Sequence, residues 1–136
     1  MPSERAILLG LLRFGALSAA DKIQVLDDYQ AHSDSVGGGP HVWNPCVEVI
    51  ESLWKCSGGC DDSITEESRQ LLSQVHGLTD RILEETELYS ALTSRTVFSL
   101  PIGQELALRC KQAVERLSEA DIEELPFWDL MCYTCD

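Results

Sequence analysis

The amino-acid sequence predicts an all-α protein, a compact globular bundle of six to eight short helices. Three observations carry this. Apolar residues recur with the 3.6-residue period in several separate segments, residues that favour helix starts stand just before them, and no segment alternates with the two-residue period of a strand. At 136 residues and 44% hydrophobic, the chain can bury one substantial core. Two cores of half that size would each be marginal, so residues 1–136 are expected to form a single helical domain.

The elements follow in chain order. Ser3-Glu4 opens an amphipathic helix with Ile7, Leu8, Leu11 and Leu12 on one face, loosening at Gly15. Ser18 and Asp21 form a capping box with the shorter acid, and Ile23, Leu26 and Tyr29 line the helix that follows. Residues 31–44 hold Ser33-Asp34-Ser35 and Gly37-Gly38-Gly39-Pro40, where glycine entropy and proline geometry predict a flexible loop. Asn44-Pro45 is an N-cap followed by a proline whose missing N–H costs nothing in the first turn. The helix it starts is expected to run from 45 to about 55, with Val47, Ile50 and Trp54 on one stripe and Leu53 beside it, until Ser57-Gly58-Gly59 stops it.

Ser63 and Glu66 form a full capping box ahead of Leu71, Leu72, Val75, Leu78, Ile82 and Leu83, a 3.6-period face that can continue to about Ala91. Within it, Glu84-Glu85-Thr86-Glu87 has no basic residue at i+4 and reads as a solvated face. Thr93 to Leu100 has little helical period and predicts a bend or extended connection. Pro101 then opens a helix with Ile102, Leu106, Cys110, Ala113 and Leu117 on one stripe. Ser118 and Asp121 mark one more start, which Pro126 limits. The chain closes with Phe127, Trp128, Leu130, Met131 and Tyr133, a set that must be docked, since each large apolar side chain gains roughly 1.5 to 3 kcal/mol from burial.

Charge and cysteines bound the function. A formal charge of -13 and a pI near 4.4 repel phosphate backbones, and the ten basic residues are scattered, so direct nucleic-acid binding is not expected. The same field favours encounter with basic partners. Residues 6–20 look superficially like a leader core, but Arg13 interrupts the apolar run and Glu4 weakens the positive start. No run approaches the ~20 apolar residues of a membrane span. A cytoplasmic protein with reduced thiols is therefore expected.

Cys56-Ser57-Gly58-Gly59-Cys60 and Cys132-Tyr133-Thr134-Cys135 could together supply four thiolates to zinc, or serve redox chemistry, and this is one alternative function. Against it, neither pair lies in the tight loop or βαβ setting that such chemistry uses. Cys46 and Cys110 read as small buried hydrophobes, while Cys60 and Cys135 are open to intermolecular pairing on oxidation, which makes a homodimer conceivable. His32, His41 and His76 are dispersed, no serine sits in a nucleophile elbow, and the glycine run lacks a preceding strand and a lysine. Neither a catalytic constellation nor a cofactor is therefore expected.

Three segments resemble the apoptosis-regulating Bcl family in the compact form some viruses carry. Ser3-Glu4-Arg5-Ala6-Ile7-Leu8-Leu9-Gly10-Leu11-Leu12-Arg13-Phe14 resembles its amphipathic first helix. Leu78-Thr79-Asp80-Arg81-Ile82-Leu83 falls where the family has Asn-Trp-Gly-Arg and two aliphatics, with Ala91-Leu92 following; Leu78, Thr79 and Asp80 stand in place of the Asn, Trp and Gly. Phe127-Trp128-Asp129 with Tyr133 resembles its Gly-Trp-Asp segment. The resemblance implies a pro-survival inhibitor that sequesters an amphipathic pro-death helix of a host protein in an apolar groove. It implies that Arg81 pairs with the ligand's aspartate, that Asp80 beside it tunes that pairing, that Val75, Leu78 and Ile82 line the groove floor or the core, and that Trp128 and Phe127 are structural anchors. The other alternative is an acidic helical inhibitor of unrelated family that occupies a basic surface on its target.

Overall fold

A computed structural model describes residues 4–35, 45–58, 65–117, 125–127 and 130, with the backbone alone for 32–35. Six α-helices and one 3-10 helix make up nearly all of it: α1 Glu4–Gly15, α2 Ala19–Ser35, α3 Pro45–Gly58, α4 Glu66–Glu84, α5 Thr86–Thr93, the 3-10 helix Thr96–Ser99, and α6 Pro101–Leu117. The all-α expectation is met, with no strand among the described residues.

Four of the helices close into a ring: α1 packs on α3, α3 on α4, α4 on α6, and α6 back on α1. The core fills that ring. Ala6, Leu8, Leu9, Leu11, Leu12 and Phe14 bury almost all of α1, and they meet Val49, Ile50 and Leu53 of α3, Leu72, Val75, Leu78 and Ile82 of α4, and Leu106, Cys110, Ala113 and Leu117 of α6. Close approach is needed in two places. A Cβ on Gly15 would fall 2.5 Å from Cys110 Sγ, and one on Gly103 would fall 2.8 Å from Phe98 Cα and also strike the Val97 carbonyl, so α6 can seat on the 3-10 helix only through a glycine.

Several boundaries differ from expectation, each for a local reason. The second helix starts as expected, with the Asp21 amide donating to Ser18 Oγ at 3.2 Å. It runs to Ser35, so residues 31–35 belong to a helix and not to a loop; the rest of the expected loop, 36–44, lies outside the described residues. Helix α3 continues to Gly58, past the expected stop near 55. Thr65, not Ser63, caps α4: its Oγ1 accepts from the Ser68 amide at 3.2 Å. The expected single helix to about Ala91 breaks at Glu85, whose extended backbone (ψ 122°) ends α4 and opens α5.

Between α5 and α6 the expected bend is a turn through Arg95 (φ 68°) into the 3-10 helix. A left-handed arginine costs about 1–2 kcal/mol. Two bonds hold it there: its amide donates to the Leu92 carbonyl at 3.0 Å, and its guanidinium pairs with Asp27 of α2. The Phe127 ring lies 5.1 Å from that of Phe14 and 5.4 Å from that of Tyr29, and Leu130 is buried. Trp128 lies outside the described residues.

Candidate functional site: an acidic cleft with exposed aromatics

The ring of helices leaves a cleft where α3 faces α4 and the start of α5. It encloses about 430 Å³ and is lined by Glu48, Glu51, Ser52, Trp54, Lys55, Asp80, Leu83, Glu84 and Tyr89, a size within the usual range for ligand pockets. Helical geometry explains the lining. Glu48, Glu51, Ser52 and Lys55 stand at i, i+3, i+4 and i+7 on α3, and Asp80, Leu83 and Glu84 at i, i+3 and i+4 on α4, so two straight polar rows face each other beside the core stripes.

Trp54 is the best-anchored of the exposed aromatics. The sequence pattern placed it on the buried stripe with Val47; instead Cys46, Val49, Ile50 and Leu53 form that stripe, Val47 is half-buried, and Trp54 is 37% exposed. Its indole Nε1–H donates to Asp80 Oδ1 at 3.1 Å. The His76 ring stacks on it at 5.4 Å and 17°, and His76 Nδ1 lies 2.7 Å from the Trp54 carbonyl oxygen. A carbonyl only accepts, so Nδ1 carries the proton in this contact. Ser57 Oγ donates to the same oxygen at 3.2 Å. Both groups reach a carbonyl close to the C-terminal end of α3. The ring is thereby fixed from both ends.

The electrostatics are one-sided. Four carboxylates, those of Glu48, Glu51, Asp80 and Glu84, face the single ammonium of Lys55, leaving three negative charges uncompensated. Among the described residues none of Glu48, Glu51 and Glu84 has an ion-pair partner.

The residues expected to form a ligand-helix groove separate in the structure. Val75 and Ile82 are fully buried and Leu78 is 9% exposed, so all three belong to the core. Arg81 projects from α4 with 59% of its side chain exposed and pairs with Glu85 at 3.0 Å, an i,i+4 contact. Asp80 alone of the set lines the cleft. Trp54, Tyr89 and Ser52 were not singled out as site residues; the sequence signal for them was the polar row on α3 that runs beside Trp54.

Of the cysteines, Cys46 and Cys110 are buried, and burial pushes both thiols up to about 12. Burial also raises the Cys56 thiol. Cys60, Cys132 and Cys135 lie outside the described residues, and among those described no group of three or more metal-ligating side chains is assembled. No helix among the described residues is long and apolar enough to cross a membrane. No protein family, curated protein or solved structure matches the chain.

Proposed function

We propose that this chain is an interaction protein that regulates a target by holding a basic, amphipathic segment of it in the cleft between α3 and α4–α5. The observation that supports this best is the pairing of exposed Trp54 and Tyr89 with uncompensated carboxylates in one concavity. Apolar anchors give such a cleft affinity, and the acidic rim gives it orientation and fast encounter. Titration calorimetry with a panel of basic amphipathic peptides tests it. At least one complex at or below about micromolar affinity is expected, weakening as salt rises because part of the attraction is between solvent-facing charges. Absence of binding by every peptide, or binding unaffected by Trp54→Ala in a protein that still folds, refutes it.

A narrower second reading is a pro-survival, virus-type inhibitor of apoptosis acting on pro-death ligand helices in the host-cell cytoplasm. What favours it is the exposure of Arg81, one residue beyond cleft-lining Asp80, where a ligand aspartate can reach it. With Val75, Leu78 and Ile82 in the core, the ligand helix would rest on Trp54, Leu83 and Tyr89. Pro-death peptides in the same panel test this reading. Arg81→Ala should weaken binding by about 1.5 to 3 kcal/mol through loss of a charge-assisted bond, and an unchanged affinity refutes this role for Arg81.

A further inference from the structure

Resting on the reading of the cleft as a partner-binding site, we infer that its central subsite takes an arginine side chain of the partner, with the guanidinium stacked on the open face of Trp54 and hydrogen-bonded to Asp80, Ser52 and the rim glutamates.

The argument starts from the indole. His76 stacks on one of its faces and is not among the cleft-lining residues, whereas Trp54 is, so the surface that Trp54 offers to the cleft is assigned to the face opposite His76. Asp80 Oδ1 is occupied by the Trp54 N–H, which orients the carboxylate and leaves Oδ2 to accept from a ligand. Ser52 adds an independent sign. It is 6% exposed and lines the cleft, yet its hydroxyl has no hydrogen-bond partner among the described residues. No buried side-chain oxygen or nitrogen among them is left unsatisfied, so this hydroxyl opens onto the cleft. The hydroxyl is therefore reachable from the cleft and can accept from a donor placed there.

The donor set selects among cations. A quaternary ammonium has no N–H and is recognised by a closed aromatic cage, whereas here two aromatics stand with four carboxylates and a hydroxyl, all of which accept hydrogen bonds. A lysine ammonium offers three donors from one point, but Lys55 already supplies one ammonium to the cleft. A guanidinium is planar, stacks on an indole, and presents five donors in a fork, so it can meet the Trp54 face and several separate acceptors at once.

The test uses small probes on the isotope-labelled full chain. Nα-acetyl-arginine amide, its lysine and citrulline counterparts, and tetramethylammonium are titrated while the Trp54 indole N–H and the Ser52 and Leu83 amides are followed by NMR. Trp54→Phe identifies the indole signal. The arginine probe should give saturable shifts confined to these residues, the lysine probe should bind about tenfold more weakly, and citrulline, which is neutral and nearly isosteric, should give none. The Glu48→Gln, Glu84→Gln double variant removes two negative charges from the rim without touching the core. It should keep its far-UV circular dichroism and lose about tenfold in arginine affinity. Shifts with citrulline equal to those with arginine, shifts elsewhere on the molecule, or no saturable shift overturn the inference. If a basic peptide binds the cleft equally well with every arginine replaced by citrulline, the guanidinium subsite is wrong and the interaction reading stands. If the arginine probe shifts Trp54 as expected but no peptide binds, the reverse holds.

Discussion

Lys22 is 1% exposed, and its charge gives the protein a measurable stability signature. The side chain leaves α2 to donate from Nζ to the Leu17 carbonyl at 2.9 Å, with Nζ 5.3 Å from the centroid of the Phe98 ring. Burial lowers its pKa from the ordinary 10.5 to about 8, against the opposing pull of Cys110 and Cys46. Below pH 8 the lysine is charged both folded and unfolded. As pH rises through 8 the folded protein releases the proton while the unfolded chain keeps it, so the unfolded state binds more protons and stability climbs by about 1.4 kcal/mol per pH unit. Cys46 and Cys110 act the other way above pH 9, where the unfolded thiols ionise and the folded ones, held to about 12, do not. Each then removes about 1.4 kcal/mol per pH unit, and two losses outweigh one gain. Between pH 8 and 9 the lysine's gain of about 1 kcal/mol offsets the onset of the thiol losses, so stability should change little there and decline above that. Urea unfolding followed by circular dichroism under reducing conditions, from about pH 7 to about pH 10, measures this for the natural chain and for Lys22→Met. The variant keeps the length of the side chain in its apolar surroundings and should lose that offset, so its decline begins near pH 8 and it falls behind the natural chain by about 1 kcal/mol between pH 8 and 9. A difference in stability between the natural chain and Lys22→Met that stays constant from pH 8 to 9 refutes the reasoning.

Two glycines of similar helical setting should respond oppositely to alanine. Gly103→Ala drives a methyl into the backbone of Val97 and Phe98, which cannot rotate away, and should cost about 3 kcal/mol in urea unfolding; a loss below about 1 kcal/mol would mean that α6 can shift freely. Gly77→Ala meets nothing within 4 Å on the exposed side of α4 and should stabilise by about 0.5 to 1 kcal/mol, which the same titration reads. Phe127→Ala removes a half-buried ring from between Phe14 and Tyr29 and should cost about 2 kcal/mol; an unchanged midpoint would mean that the C-terminal segment adds nothing to the bundle.

The ring of helices was legible because its residues obey one period. On α6 the apolar spacing put Leu106, Cys110, Ala113 and Leu117 on one stripe, and all four are buried. Where the reading missed, two weak local preferences met a tertiary demand. Ser33, Asp34 and Ser35 are only mildly poor helix formers, so α2 runs through them toward the glycines. The break at Glu85 is set by Leu92, which is fully buried. A continuous helix would carry Leu92 about 15 Å beyond Ile82 and about 80° off its face, away from the core. An extended residue at 85 turns α5 so that Leu92 packs inward. No local signal at 85 announces this, because its cause lies seven residues ahead and in the packing of other helices.

The cleft was hidden for a related reason. Val75, Leu78 and Ile82 are the most conspicuous apolar residues of α4, and a helix with one apolar stripe spends it on the core before a ligand can use it. Binding is then left to the stripe's margin, where Asp80, Leu83 and Glu84 stand, and to the matching margin of α3. Taken singly, acidic residues at such positions read as a solvated face, and Glu84 had that reading. What separates a cleft from a solvated face is a partner row on another helix, and Asp80 finds Trp54 only because α3 and α4 pack side by side, 26 positions apart in sequence. An indole at the edge of a stripe has two stable solutions, to enter the core or to find an acceptor for its N–H at the surface. Here Leu53 takes the core position next to it, Asp80 supplies the acceptor and His76 the stacking partner, so Trp54 is held at the edge of the cleft while more than a third of it stays exposed. A ring fixed in that way loses little freedom when a ligand covers it, and low ordering cost is what lets a small aromatic surface contribute to affinity.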